Sequence, residues 1–143
     1  MTILVSGGAG FIGSNFILNW FSKSSEKLIN IDALTYAGNE NNLKELIDDE
    51  RYYFVKSDIN DTLKYEKILY EHKVRAVINF AAESHVDRSI SSPFNFIKTN
   101  IEGTYNLLEV SKNYWSSLSS SEKEKFRFLH VSTDEVYGSL SIS

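Results

Sequence analysis

The chain has 143 residues, 42% of them hydrophobic, with 15 lysines and arginines against 19 aspartates and glutamates. This length suits one domain with a core, and a net charge of −4 without a basic block argues against nucleic acid as a partner. With no cysteine, no signal peptide and no run long enough to cross a membrane, we predict a cytoplasmic protein without a metal site or a membrane partner.

The first predicted element is a strand that runs into a glycine turn and then a helix, over residues 2–13. Its glycines fit two spacings, Gly8-x-Gly10-x-x-Gly13 and Gly7-x-x-Gly10-x-x-Gly13. Glycine lets the chain turn with positive φ and lets a ligand approach the backbone, while the helix N-terminus attracts an anion. The pattern predicts a pyrophosphate site, and the alternative is a close-packed turn without a ligand.

The second predicted strand, residues 28–32, ends in an acid nineteen residues after Gly13. An acid at the tip of this strand accepts hydrogen bonds from both hydroxyls of an adenosine ribose and repels a 2′-phosphate. Asp32 therefore predicts NAD as the cofactor in preference to NADP. The alternative is a solvated charge at a strand end.

Between and after these strands the pattern is helical. Six apolar residues recur at helical spacing before an end near residues 22–25: Phe11, Ile12, Phe16, Ile17, Trp20 and Phe21. A loop at 33–39 then precedes a polar amphipathic helix through Leu43, Leu46 and Ile47.

The third strand is predicted over residues 52–56, which are rich in β-formers. Asp61 is a suitable N-cap for the next helix. That helix is expected to bury Leu63, Ile68 and Leu69.

The fourth strand is predicted at residues 76–80, where almost every side chain is apolar, as in a strand buried on both faces. Ser92-Pro93 predicts the start of a long helix. One apolar stripe on that helix is interpreted primarily as a core-facing surface. The stripe consists of Phe94, Ile97, Ile101, Tyr105 and Leu108. Residues 116–125 are predicted to form a mobile or frayed connection, and residues 126–131 a fifth strand.

The alternation of strands and helices predicts an α/β fold, a Rossmann-type doubly wound parallel sheet with order 3-2-1-4-5 and helices on both faces. Ligands of such sheets bind beyond the carboxyl ends of the strands. Those ends carry the glycine turn, Asp32, Asp58, residues 81–89 and residues 133–135. The chemically versatile residues should therefore converge on one rim.

Two adjacent carboxylates follow the fifth strand beside a hydroxyl, as Thr133, Asp134 and Glu135. If their surroundings separate the two carboxyl pKa values, one can act as a general acid and the other as a base. Neighbouring acids are also common on surface turns, so this pair alone does not establish catalysis.

Four segments together resemble the motifs of dTDP-glucose 4,6-dehydratases, which are extended short-chain dehydrogenase/reductases. They are residues 7–14 (GGAGFIGS), 32–39 (DALTYAGN), 81–89 (AAESHVDRS) and 132–138 (STDEVYG). The similarity extends from residue 1 to about residue 138. Epimerases and decarboxylases of the same superfamily usually carry small residues at the positions of Asp134 and Glu135.

The resemblance implies a lyase of nucleotide-sugar metabolism that converts dTDP-glucose to dTDP-4-keto-6-deoxyglucose. A hydride passes from sugar C4 to NAD⁺ and later returns to C6. By the same resemblance Glu135 removes the C5 proton, Asp134 protonates the departing C6 hydroxyl, and Thr133 hydrogen-bonds the C4 oxygen. The implied substrate contacts are Ser84 and His85.

The predicted cofactor site combines the glycine turn with residues that the resemblance adds. Asp58 and Ile59 are implied to border the adenine, and the loop after the fourth strand to line the cofactor. The full predicted set is Gly7, Gly10, Phe11, Ile12, Gly13, Asp32, Leu34, Thr35, Gly38, Asp58, Ile59, Ala81, Ala82, Ser84 and Thr99.

One catalytic motif of the family, Tyr-x-x-x-Lys on a helix, is not found. The one matching spacing, Tyr52 to Lys56, falls in a predicted strand, where four residues separate the side chains by about 13 Å. We therefore interpret residues 1–143 as a truncated NAD-binding domain that lacks the substrate-binding domain and is inactive alone. The resemblance implies that the full-length enzyme is a homodimer.

Several alternatives stay open at this point. The chain fits a related nucleotide-sugar 4-epimerase less well, and a non-catalytic NAD-binding module is a third interpretation. Among the histidines, His85 is expected at the rim as a ligand, whereas His72 and His130 are expected to be structural. Asp87 and Arg88 either pair with each other or organise the site.

Overall fold

The computed structural model describes residues 1–85, 90 and 92–138, with only the main chain of Glu135. The expected roles of Asp87 and Arg88 fall outside the described residues.

Five parallel strands form one sheet in the order β3-β2-β1-β4-β5, which confirms the predicted topology. The strands are β1 (Thr2–Ser6), β2 (Lys27–Asp32), β3 (Tyr52–Lys56), β4 (Val74–Asn79) and β5 (Arg127–His130). Each neighbouring pair is parallel, so all five carboxyl ends meet at one edge of the sheet. Strands β2 and β4 lie on opposite sides of β1, so the direction in which strands are added to the sheet reverses at β1. This reversal places a crevice above the carboxyl end of β1.

The helical elements follow the same alternation. They are α1 (Phe11–Lys23), a 3₁₀ helix (Glu40–Leu46), α2 (Thr62–Glu71), α3 (Pro93–Phe96), a π-helical segment (Ile97–Gly103), α4 (Thr104–Ser117), α5 (Ser120–Lys123) and a 3₁₀ helix (Asp134–Tyr137). We call the continuous run of α3, the π-helical segment and α4 the long helix. Within the described part of the chain, no helix has the length and apolar character needed to cross a bilayer.

The core lies on both faces of the sheet, because successive side chains of a strand point to opposite faces. From β1, Val5 packs in a cluster with Ile17 of α1. The next side chain back, Leu4, packs in a second cluster with Leu69 of α2 and Leu107 of α4. All five side chains are almost completely buried, which gives the three-layer arrangement expected of a parallel sheet.

The helix predicted through Leu43 is a 3₁₀ helix with a kink at that residue (φ −121°, ψ 19°). Leu43 and Leu46 are buried, but Ile47 is exposed, so the prediction is wrong for Ile47. Side chains three residues apart are aligned on a 3₁₀ helix. The tighter turn therefore directs Leu43 and Leu46 inward and leaves Ile47 off that face.

In α2 the predicted N-cap is confirmed, since the Asp61 carboxylate accepts a hydrogen bond from the Lys64 N–H. The predicted burial of Leu63 is wrong, because its side chain is 79% exposed. Tyr65 takes its place in the core together with Ile68 and Leu69. These three positions share one helical face.

The long helix buries a different face from the predicted one. Its buried residues are Gly103, Leu107, Ser111 and Tyr114. The apolar residues expected to face the core are exposed instead, and they are Phe94, Ile97, Ile101, Tyr105 and Leu108. Two apolar faces on one helix look alike in sequence, and the sheet covers only one of them.

The serine-rich stretch at 116–125 is more regular than predicted. Helix α4 continues to Ser117, and α5 follows after a short break. The N–H of Ser119 donates to the Glu122 carboxylate over 3.0 Å, as in a capping box. Hydrogen bonds from Ser119 lower the pKa of Glu122.

Candidate functional site

The glycine turn between β1 and α1 contains glycines that the fold itself requires. Gly7 has φ +73°, and a Cβ there would lie 2.5 Å from the Ala81 nitrogen. A Cβ on Gly13 would lie 2.4 Å from the Gly7 carbonyl oxygen. Both contacts are with main-chain atoms, so these glycines allow close packing of strand, turn and helix.

Gly10 lies in the same turn but is not required by packing. Its φ is −73°, and a Cβ would meet only the Gly7 oxygen at 3.4 Å and the Ala37 oxygen at 4.0 Å. The backbone conformation and the packing of the protein would therefore also allow a residue with a side chain at this position. The free space beside Gly10 is part of a cavity.

Among the described residues, no group accepts a hydrogen bond from the first main-chain N–H groups of α1, which lie beside that space. Gly10 is the N-cap without a side-chain hydrogen bond, and the first turn contains no acid. The first intrahelical bond runs from the Ser14 N–H to the Gly10 oxygen over 2.9 Å. The preceding N–H groups and the positive end of the helix dipole suit an anion such as phosphate.

Asp32 joins the glycine turn to the loop after β2. Its Oδ2 accepts the Ala9 N–H over 2.9 Å, and its Oδ1 accepts the Leu34 N–H over 2.8 Å. Leu34 has φ +53°, an unusual backbone region for a bulky residue. Each carboxylate oxygen retains acceptor capacity, so the buried Asp32 can still bind hydroxyl groups.

A buried polar network holds the ends of β1, β4 and β5 together. The Asn79 Oδ1 accepts the Ser6 hydroxyl over 2.7 Å and the Ala81 N–H over 3.0 Å. Because the Ala81 N–H can only donate, Oδ1 is the acceptor and Nδ2 faces the His130 Nδ1 at 3.1 Å. His130 thus has the structural contact predicted for it, although its side chain is exposed.

The strand ends enclose a cavity of about 400 Å³, within the usual range for small-molecule sites. Of the predicted cofactor residues, all but Leu34 line it. They are Gly7, Gly10, Phe11, Ile12, Gly13, Asp32, Thr35, Gly38, Asp58, Ile59, Ala81, Ala82, Ser84 and Thr99. Leu34 contributes through its N–H to Asp32.

The far side of the cavity is formed by the loop after β3. Asp58 Oδ1 accepts the N–H and the side-chain amide of Asn60, over 2.9 and 3.0 Å. Its Oδ2 accepts no hydrogen bond from the described residues. Ile59 is buried, and its Cδ1 would lie 2.3 Å from a Cβ on Gly103, so the loop packs closely against the long helix.

Two members of the predicted catalytic group, Thr133 and Asp134, do not line the cavity. Thr133 and Asp134 are exposed where β5 leads into the second 3₁₀ helix. The side chain of Glu135 lies outside the described residues. Asp134 therefore lies at the surface of the described part of the chain.

His85 and His72 also have defined positions. His85 contacts the Tyr36 ring, with centroids 5.3 Å apart, and this pair connects the loops after β4 and β2. His85 does not line the cavity. His72 is the C-cap of α2, which agrees with a structural role.

Two tyrosines have raised pKa values, the buried Tyr65 and the partly buried Tyr52. Burial raises the pKa of Tyr65, and the charges of Asp32 and Asp58 raise it further. Burial also raises the pKa of Tyr52, whose hydroxyl receives a hydrogen bond from Asn30. Tyr52 and Lys56 both lie in β3, which confirms that this spacing is not a helical catalytic pair.

Sequence reasoning missed five residues of the cavity wall, namely Ile31, Ala33, Ala37, Phe80 and Glu83. Each is adjacent in sequence to a predicted residue, so strand-end position was the available signal. It also missed Asn100, whose amide contacts Glu83. No spacing rule marks an asparagine inside an amphipathic helix.

A doubly wound parallel sheet with a glycine turn over a crevice at its carboxyl edge defines a Rossmann-type protein. Residues 4–143 match the family model described as GDP-mannose 4,6 dehydratase, and the chain belongs to this family.

Its relatives are nucleotide-sugar enzymes. The chain is 53% identical over 140 residues to dTDP-glucose 4,6-dehydratase 1 of Escherichia coli, covering 98% of this chain and 39% of that protein. The chain thus spans well under half the length of this relative.

Solved structures agree with this placement. The dTDP-glucose 4,6-dehydratase of Streptomyces venezuelae, crystallised with NAD and TYD bound, has a TM-score of 0.85 and 41% identity. It covers 100% of this chain, which corresponds to 42% of that chain. The UDP-glucose 4-epimerase of Thermotoga maritima, with UDP-glucose, has a TM-score of 0.79 and 31% identity, covering 99% and 41% of the two chains.

Proposed function

We propose that residues 1–143 form the NAD-binding domain of a dTDP-glucose 4,6-dehydratase. The main observation in support of this proposal concerns Gly10, where neither the backbone conformation nor the packing requires glycine. The space beside it opens into the cavity at the start of α1. A ligand that approaches the main chain explains why a side chain is absent there.

The described residues fit NAD. The start of α1 would hold the pyrophosphate, and Asp32 would accept the hydroxyls of the adenosine ribose. Asp58 and Ile59 would border the adenine, where the unused Asp58 Oδ2 can accept an amino hydrogen. The loop at 81–84 and Thr99 would line the remainder of the cofactor.

Gly10→Val tests this assignment, because the added side chain would occupy the proposed pyrophosphate space. We expect NAD⁺ binding measured by calorimetry to weaken at least about 100-fold, the loss of roughly 3 kcal/mol. The melting temperature should fall by only about a few degrees, the cost of a poorer N-cap, since a Cβ at Gly10 would have no contact shorter than 3.4 Å. Unchanged NAD⁺ affinity in the folded variant would contradict the assignment.

For the reaction, we propose the roles that the motif after β5 suggests. The glycine turn and Asp32 would hold NAD⁺, which when bound would supply the hydride acceptor for sugar C4 and the hydride donor for C6. The C4 hydroxyl proton would pass to a base such as the tyrosine of the family's Tyr-x-x-x-Lys motif. Glu135 would take the C5 proton, Asp134 would give a proton to the C6 hydroxyl as water departs, and Thr133 would hydrogen-bond the C4 oxygen. Ser84 and His85 would contact the sugar.

Asp134→Asn and Glu135→Gln in the complete gene product test these roles. Each removes a group that transfers a proton, so we expect elimination to fall by about 10²–10⁴-fold. NAD⁺ affinity of the Asp134→Asn variant should stay unchanged, because Asp134 does not line the cavity. Product analysis by NMR is the measurement, and undiminished turnover in both variants would sink the assignment.

The same spectra separate the second candidate function, a nucleotide-sugar 4-epimerase. The similarity to the Thermotoga maritima UDP-glucose 4-epimerase favours this candidate, whereas the adjacent acids Asp134 and Glu135 favour dehydration. A 4-keto-6-deoxy sugar would identify the dehydratase, and an epimerised sugar the alternative.

We also propose that the protein acts as a cytosolic homodimer. The exposed apolar face of the long helix supports the dimer, with Phe94 exposed by 69% and Ile101 by 65%. A second copy would bury this face on the equivalent helix. Sedimentation of the complete gene product as a monomer would contradict the proposal.

The proposed cytosolic location rests on the cysteine content. The absence of cysteine suits the reducing cytosol.

A further inference from the structure

The loop that follows β4 forms one wall of the cavity without forming secondary structure. Ala81, Ala82, Glu83 and Ser84 all line the cavity. Between described residues, the main-chain hydrogen bonds of 81–85 go to two asparagine side chains. Asn79 receives the Ala81 N–H, and Asn100 pairs with Glu83.

The contact of Asn100 with Glu83 is double. The Glu83 N–H donates to the Asn100 Oδ1 over 2.8 Å, and the Asn100 Nδ2 donates to the Glu83 oxygen over 2.9 Å. The amide therefore satisfies both main-chain groups of one residue, as a neighbouring strand would. Two simultaneous bonds fix the orientation of the peptide as well as its position.

Asn100 lies in the π-helical segment of the long helix, which is itself anchored on the other side of the cavity. The Asn60 side chain donates to the Lys98 oxygen over 3.3 Å, and Ile59 packs at Gly103. Thr99, next to Asn100, lines the cavity. The π-helical segment thus connects the loops after β3 and β4, and such segments are frequent at functional sites.

We propose that Asn100 is a positioning residue that sets the cavity wall at 81–84 for the cofactor by pairing with the main chain of Glu83. This inference rests on the proposed function, because the consequence is tighter NAD⁺ binding. Asn100 does not itself line the cavity. It acts through the loop.

The test compares Asn100→Leu and Asn100→Asp with the wild-type protein by NAD⁺ calorimetry and amide hydrogen exchange. Leucine removes both hydrogen bonds, so we expect NAD⁺ affinity to fall about 10- to 100-fold. Aspartate has the size of asparagine and still accepts the Glu83 N–H but opposes the Glu83 oxygen, so a smaller loss is expected. Asn113→Asp, at an exposed position of α4, is the matched control and should bind normally.

Hydrogen exchange distinguishes positioning from general stability. In Asn100→Leu the Glu83 amide should exchange faster, while the buried ladder amides of Val5 and Ile78 keep their protection. Wild-type NAD⁺ affinity in Asn100→Leu, or an unchanged rate at Glu83, would overturn the proposal. Failure of the wild-type protein to bind NAD⁺ would instead refute the proposed function, and this inference with it.

Discussion

Gly7→Ala is expected to lower the free energy of unfolding by about 3 kcal/mol or more. The left-handed backbone at φ +73° disfavours any Cβ, and the new atom would lie 2.5–2.7 Å from Ala81 and Phe80. All three close contacts are with main-chain atoms, so no side-chain rotation relieves them. The ends of β1 and β4 would have to separate, which urea denaturation followed by circular dichroism would measure.

Gly10→Ala is the matched control within the same turn. Its Cβ has ordinary contacts and its φ is negative, so the expected loss is about 1 kcal/mol, from the poorer N-cap. Equal losses for the two variants would show that the turn is not packed as described.

Asn79→Leu is expected to destabilise the protein by about 2–4 kcal/mol. Asn79 is completely buried, and leucine would leave the Ser6 hydroxyl and the Ala81 N–H without their acceptor. A buried donor without a partner costs about 1–3 kcal/mol. The measurement is again urea denaturation.

Ser6→Ala separates the contributions to this network. Alanine removes the Ser6 hydroxyl, so no buried donor is left without an acceptor. The free energy of unfolding is therefore expected to fall by only about 1 kcal/mol. A leucine variant as stable as the wild-type protein would mean that the hydrogen bonds of Asn79 do not hold the strand ends.

The strand order and the cavity wall were predictable because their signals are local. Apolar runs mark buried strands, and the acid at Asp32 and the glycine at Gly10 stand at strand ends, which a parallel sheet brings together. The residues predicted to bind the cofactor, except Leu34, therefore line one cavity even though they are separated by many residues in sequence.

Helix faces were predicted less well, because apolar spacing does not say which neighbour covers a face. Leu63 and Ile101 fit helical stripes but are exposed, and Tyr65 and Gly103 are buried in their place. The pairing of Asn100 with Glu83 depends on the three-dimensional path of a loop. A polar residue in a helix gives no warning of such a contact.

Calorimetric titration of the wild-type protein with NAD⁺, and in parallel with NADP⁺, tests the central claim most directly. We expect one saturable NAD⁺ site per chain, and NADP⁺ binding at least about tenfold weaker, because Asp32 would face the 2′-phosphate. No NAD⁺ binding by the folded protein would contradict a cofactor site at the glycine turn. Equal affinity for the two nucleotides would contradict the role of Asp32.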